Sequence, residues 1–100
     1  MIGPSIVIKG AVSGEEDLLI QGKVEGKISL NGNQVTVGES GEVRADIFAT
    51  TIQINGKVIG DITANEKVII SKSGNVHGNV VAPRVLLEDG GMFKGSIDMD

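Results

Sequence analysis

Gly56-Lys57-Val58-Ile59-Gly60-Asp61-Ile62 carries a pattern that is written several times along the chain. It appears earlier as Gly22-Lys23-Val24-Glu25-Gly26-Lys27-Ile28, and later as Gly74-Asn75-Val76-His77-Gly78-Asn79-Val80 and Gly91-Met92-Phe93-Lys94-Gly95-Ser96-Ile97. Another copy, Gly41-Glu42-Val43-Arg44-Ala45-Asp46-Ile47, keeps everything except the second glycine. Each copy places two apolar residues four positions apart, with a glycine two before the first of them. Self-similarity at a near-fixed spacing signals a repeat architecture, in which each unit buries its apolar face against its neighbours.

From Val24 to Val43, Val58, Val76 and Phe93 the intervals are 19, 15, 18 and 17 residues. Each interval holds a further apolar segment, beginning at Val35, Ile52, Val68 or Val85. Three short segments per period, apolar on alternate positions and ending in Gly, Asn, Ser or Asp, describe a triangular coil of three strands. Composition agrees with this reading. The 100 residues include no Trp or Tyr, two Phe and 15 Gly, and Val with Ile dominates the apolar set. β-Branched residues favour strands, and glycine supplies the freedom that tight corners need.

One hundred residues make one domain, expected over 1–100, with residues 1–17 as an imperfect first coil or lead, 18–100 as regular coils, and no tails of appreciable length. In that first coil, Gly10-Ala11-Val12 is read as half a motif, with Glu16 standing where the second apolar residue is due. Asn31-Gly32, in the longest interval, is expected to form an outward loop, and Pro83 a corner. Stacking would align Lys23, Glu42, Lys57 and Asn75 in one outer column and Glu25 with Arg44 in the next, giving cross-strand charge pairs. Ile69 and Leu86 should also face outward.

Net charge of −4 and the lack of an aromatic stacking platform argue against nucleic acid. The absence of cysteine excludes disulfides and thiolate metal sites. His77 is the single histidine, follows an inward Val76, and is therefore read as a solvated surface residue. The carboxylate groups Glu15-Glu16-Asp17 and Glu88-Asp89 read as solvated turns, because no apolar surroundings separate their titrations. No residues are assigned to catalysis, to a cofactor or to a metal.

What remains is the pair of ends, since a stack of strands terminates in unpaired backbone groups that can template another chain. Phe93, Met92, Ile97 and Met99 at one end, with Ile2, Ile6 and Ile8 at the other, are the candidate polymerisation surfaces. Ile2 is read at the same time as a strand-starting core residue rather than the remnant of a membrane-contacting lead.

The repeated motif, with Ile20-Gln21-Gly22-Lys23-Val24-Glu25-Gly26, Val37-Gly38-Glu39-Ser40-Gly41-Glu42-Val43, Ile54-Asn55-Gly56-Lys57-Val58 and Ala82-Pro83-Arg84 through Phe93-Lys94-Gly95, resembles the bactofilins. The resemblance spans nearly the whole chain. It implies an all-β, right-handed triangular parallel β-helix of about six coils, and handedness comes from it alone. It further implies nucleotide-free homopolymers in the bacterial cytoplasm, acting as a scaffold for cell shape, polarity or envelope growth, with envelope-synthesis or polarity proteins as partners. Members of that family often reach the inner face of the membrane through a tail, and no such tail is expected here. Two other readings compete with the polymer. One is a capped monomeric adaptor; the other is a hexapeptide-type acyltransferase with His77 as base, which wants a strict six-residue period that these spacings lack.

Overall fold

The chain, in a computed structural model, is described over residues 2–99, residue 31 through its backbone alone. Met1 and Asp100, inside the expected domain, lie outside the described residues. Its strands are β1 (Val7–Gly14), β2 (Leu18–Ile20), β3 (Lys23–Val37), β4 (Glu42–Ile54), β5 (Lys57–Ile59), β6 (Ile62–Ile70), β7 (Asn75–Val81), β8 (Arg84–Leu87) and β9 (Met92–Asp98). Every pairing among them is parallel, between one coil and the next. The result is an all-β solenoid of about five turns.

The register places the motif residues in columns. Ile8, Val24, Val43, Val58, Val76 and Phe93 form the inner column of side one. Val12, Ile28, Ile47, Ile62, Val80 and Ile97 form that of side two. Side three carries two inner columns. Leu18, Val35, Ile52, Val68 and Val85 make the first, and Ile20, Val37, Ile54, Ile70 and Leu87 the second, which Ile2 extends through its bridge to Ile20. The expected six coils are thus six rows, and about five turns separate the first from the last. The core is entirely aliphatic, and among the described residues no polar or charged side chain is buried within it.

The first row corrects one alignment. Ile8, Gly10 and Val12 pair with Val24, Gly26 and Ile28, so Val12 is the second apolar residue of its motif, and no apolar residue is missing at Glu16. The glycine two before the first apolar residue is what hid this register, because that place in the first row is held by Ile6. Asn31-Gly32 falls where β3 and β4 lose register, between Leu30 and Gln34, and Gly32 has a positive φ of 80°. The extra residues are tied to the first corner, where the Asp17 carboxylate accepts from the Gln34 backbone amide at 2.9 Å.

Corners between sides one and two carry the second glycine of the motif. At Gly26, Gly60, Gly78 and Gly95 φ lies between 128° and 141°, and an added Cβ would come within 3.0 Å of the carbonyl oxygen one coil earlier. Both the conformation and the closeness of stacked backbones demand glycine there. Corners between sides three and one are turns, with Gly41 donating to Gly38, Gly74 to Ser71 and Gly91 to Glu88 at 2.8, 2.8 and 2.9 Å. Pro83 sits at the exposed corner before β8, where its missing N–H costs no ladder bond.

Candidate assembly surfaces at the two ends

An inner column protects each residue through the coils on both sides of it, so its last member is covered on one side only. Ile70 and Val80 are fully buried, whereas Leu87 and Ile97, one row further on in the same columns, are 53% and 42% exposed. Val85 and Phe93 are half-buried against the core. These four side chains form an apolar end face on β8 and β9. Both strands pair on one edge only among the described residues, leaving the backbone groups of the other edge for a further strand.

The candidates drawn from the motif alone separate here. Phe93 and Ile97 belong to the end face. Met92 pairs with Asn75 in the outer column, so it flanks side one rather than closing the end, and it is 62% exposed. Met99 is exposed just beyond β9. Leu87 and Val85 escaped the sequence reading, although the spacing from Val68-Ile69-Ile70 to Val85-Leu86-Leu87 already placed them in the last row. Ile69 and Leu86 do point away from the core, the first half-buried and the second exposed.

The first rows are better covered. Ile8, Val12 and Leu18 are half-buried against the core. Ile2 is buried, and its backbone donates to Leu19 O at 2.8 Å and accepts from Gln21 N at 2.7 Å. It closes side three from within and presents no side chain to a neighbour. Ile6 lies at the corner, 44% exposed, and Val7 faces outward beside Lys23. Of the three N-terminal candidates, then, Ile8 faces the end, Ile6 rims it and Ile2 belongs to the interior.

The outer wall of side one is mostly polar. Lys23, Glu42, Lys57 and Asn75 do stack, and Glu25 does pair with Arg44 in register. Arg44 forms a different ion pair: its Nε meets Glu42 Oε1 of its own strand at 3.4 Å. Residues two apart on one strand share a face, and that path was open to the Arg44 side chain as well as the cross-strand one. His77 stands exposed between Ile59 and Lys94 in an outer column. Among the described residues no helix is long and apolar enough to cross a membrane.

Comparison with known proteins meets this geometry from another direction. The family described as "Bactofilin: Polymer-forming cytoskeletal" matches residues 1–98. Bactofilin BacO of Myxococcus xanthus is 50% identical over 100 residues, covering all of this chain and 79% of the relative. Bactofilin BacN of the same organism is 49% identical over 100 residues and 88% of its length. Bactofilin BacP is 39% identical over 99 residues, which make up 41% of that protein. No solved structure matches the chain. A parallel solenoid with repeated glycine corners, the family match over 1–98 and relatives at up to half identity lead to one conclusion: this chain belongs to the bactofilin family.

Proposed function

We propose that the chain assembles end to end into filaments that need no nucleotide, and that the filaments serve as a structural scaffold in the bacterial cytoplasm. The observation that carries this is the end face, where Leu87 and Ile97 are half exposed in columns whose middle members are sealed from water. An apolar patch of this kind spans roughly 300 to 600 Å². Joining two such ends buries about twice that area, close to the ~1,000 Å² of a specific contact, with backbone pairing of the free strand edges in addition. Phe93, Ile97, Leu87 and Val85 form the contact at one end, with Met92 and Met99 at its rim. Ile8 and Ile6 contribute at the other. The family's description as polymer-forming and cytoskeletal supports the same reading. Envelope-synthesis or polarity proteins are the clients such a scaffold would hold, and the role is structural rather than catalytic.

Negative-stain electron microscopy of the purified chain without nucleotide tests the proposal, with Phe93→Arg beside it. Long uniform filaments from the parent and folded, β-rich small species from the variant are expected, because a charge forced into an apolar contact without a partner is strongly unfavourable. Discrete monomers from the parent would overturn it.

A further inference from the structure

Side three carries an ordered outer surface that end-to-end assembly leaves unused. Its outer column reads Leu19, Thr36, Gln53, Ile69 and Leu86, apolar in the first row and the last two and polar between. The column beside it continues from Asp17 through Gln34, Thr51 and Lys67 to Arg84, running from negative through neutral to positive. Glu15 and Glu16 reinforce the negative corner, beside a shallow recess at the first row lined by the inner-column Val12 and Leu18. At the opposite corner Lys67 and Arg84 are adjacent in register, and among the described residues neither forms an ion pair. Like charges directly opposite on neighbouring strands destabilise a sheet. Anionic groups brought from outside would relieve that repulsion.

We propose that side three is a lateral contact between two antiparallel copies of this chain, related by a two-fold axis that runs along the strand direction. That operation keeps each outer column facing itself and reverses the order of the rows. Leu19 then meets Leu86, Thr36 meets Ile69, Gln53 meets Gln53, and the Glu16–Asp17 corner meets Arg84. Every contact between unlike positions occurs twice and Gln53 meets its own copy once on the axis, as an isologous interface requires. A parallel arrangement, with its two-fold along the coil axis, would reverse the columns and lose both the Leu19–Leu86 and the Asp17–Arg84 matches. Five strands about 4.8 Å apart give a face on the order of 350 Å² per copy, roughly 700 Å² in total and short of a stable isolated dimer. Repetition along a filament supplies the missing strength through avidity, so the inference rests on the filament reading and predicts paired or bundled filaments rather than dimers.

The chain has no cysteine, so single thiols can report the geometry. Thr36→Cys and Ile69→Cys are prepared as separate proteins, assembled together and treated with a short bismaleimide. These positions lie in the second and fourth rows, away from both ends, so an end-to-end junction does not bring them together. Cross-linked product from the mixture, and little from either protein alone, is expected. Arg84→Glu should disperse bundles into single filaments, and adding Glu16→Lys to the same chain should restore them, in both cases more sharply at low salt. Filaments that give no mixed product, or only same-site product, overturn the lateral contact and leave end-to-end assembly standing. A parent that makes no filaments at all overturns both.

Discussion

In the first row Ile6 stands where Gly22 stands in the second: the Lys23 amide donates to the Ile6 carbonyl at 2.9 Å, as the Glu42 amide does to that of Gly22. A Cβ on Gly22 would fall within 3.0 Å of the carbonyl oxygens of both Ile6 and Gly3. Backbone cannot yield as a side-chain tip can. No described strand precedes Ile6, and a branched side chain fits there. Gly22→Ala should therefore destabilise by about 2–3 kcal/mol, lowering the melting temperature by roughly 10 to 20 °C, whereas Ile6→Ala should change it by only a few degrees. Thermal circular dichroism in the Phe93→Arg background keeps assembly from adding to apparent stability. Equal losses for the two variants would contradict the packing argument.

The second glycine column separates strain from crowding. Gly10 and Gly78 both have positive φ, 127° and 141°, so alanine is strained at each. An added Cβ at Gly78 would run into the Gly60 carbonyl, while at Gly10 it would meet nothing within 4 Å. Backbone strain costs on the order of 1–3 kcal/mol, and Gly10→Ala should lose about that much. Gly78→Ala should lose several kcal/mol more in denaturant unfolding, or fail to fold. Ala45 shows the way out that one row has taken: it occupies the same column without a positive φ, its side chain buried.

Most of this architecture could be read from the chain because the glycine-to-apolar spacing is a direct consequence of stacking. Val24, Val43, Val58, Val76 and Phe93 had to align if the coils were parallel, and they do. The first row was misaligned because its corner residue, Ile6, lacks the neighbour that forces glycine elsewhere. Met92 and Leu87 show a different limit. Sequence spacing identified the last row, and the pleat sets Met92 outward in the column of Asn75 and Leu87 inward in the column of Ile70, where no further coil covers it. Surface charge was the least legible, since the columns fixed which residues are adjacent and left each long side chain several partners. Arg44 took Glu42.

That exposed pair should matter little. An exposed ion pair contributes about 0 to 1 kcal/mol, so Arg44→Gln should shift the denaturation midpoint slightly, and less still at high salt. A shift above about 1 kcal/mol would mean that Arg44 is organising more of side one than its bond to Glu42.

Ile62 and Leu87 offer the clearest separation of fold from assembly. Ile62 is fully buried between Ile47 and Val80, and Ile62→Ala should cost about 2–5 kcal/mol through lost burial and the cavity left behind. Leu87 belongs to an equivalent inner column but is 53% exposed at its end, so truncation opens no cavity within the subunit. Leu87→Ala should thus leave the unfolding of the Phe93→Arg monomer nearly unchanged. Introduced alone into the parent, it should raise the protein concentration at which filaments sediment, because the apolar area it removes is buried only between subunits. If Leu87→Ala destabilised the monomer as much as Ile62→Ala while leaving sedimentation unaltered, Leu87 would be a core residue and the end face would have to be drawn without it.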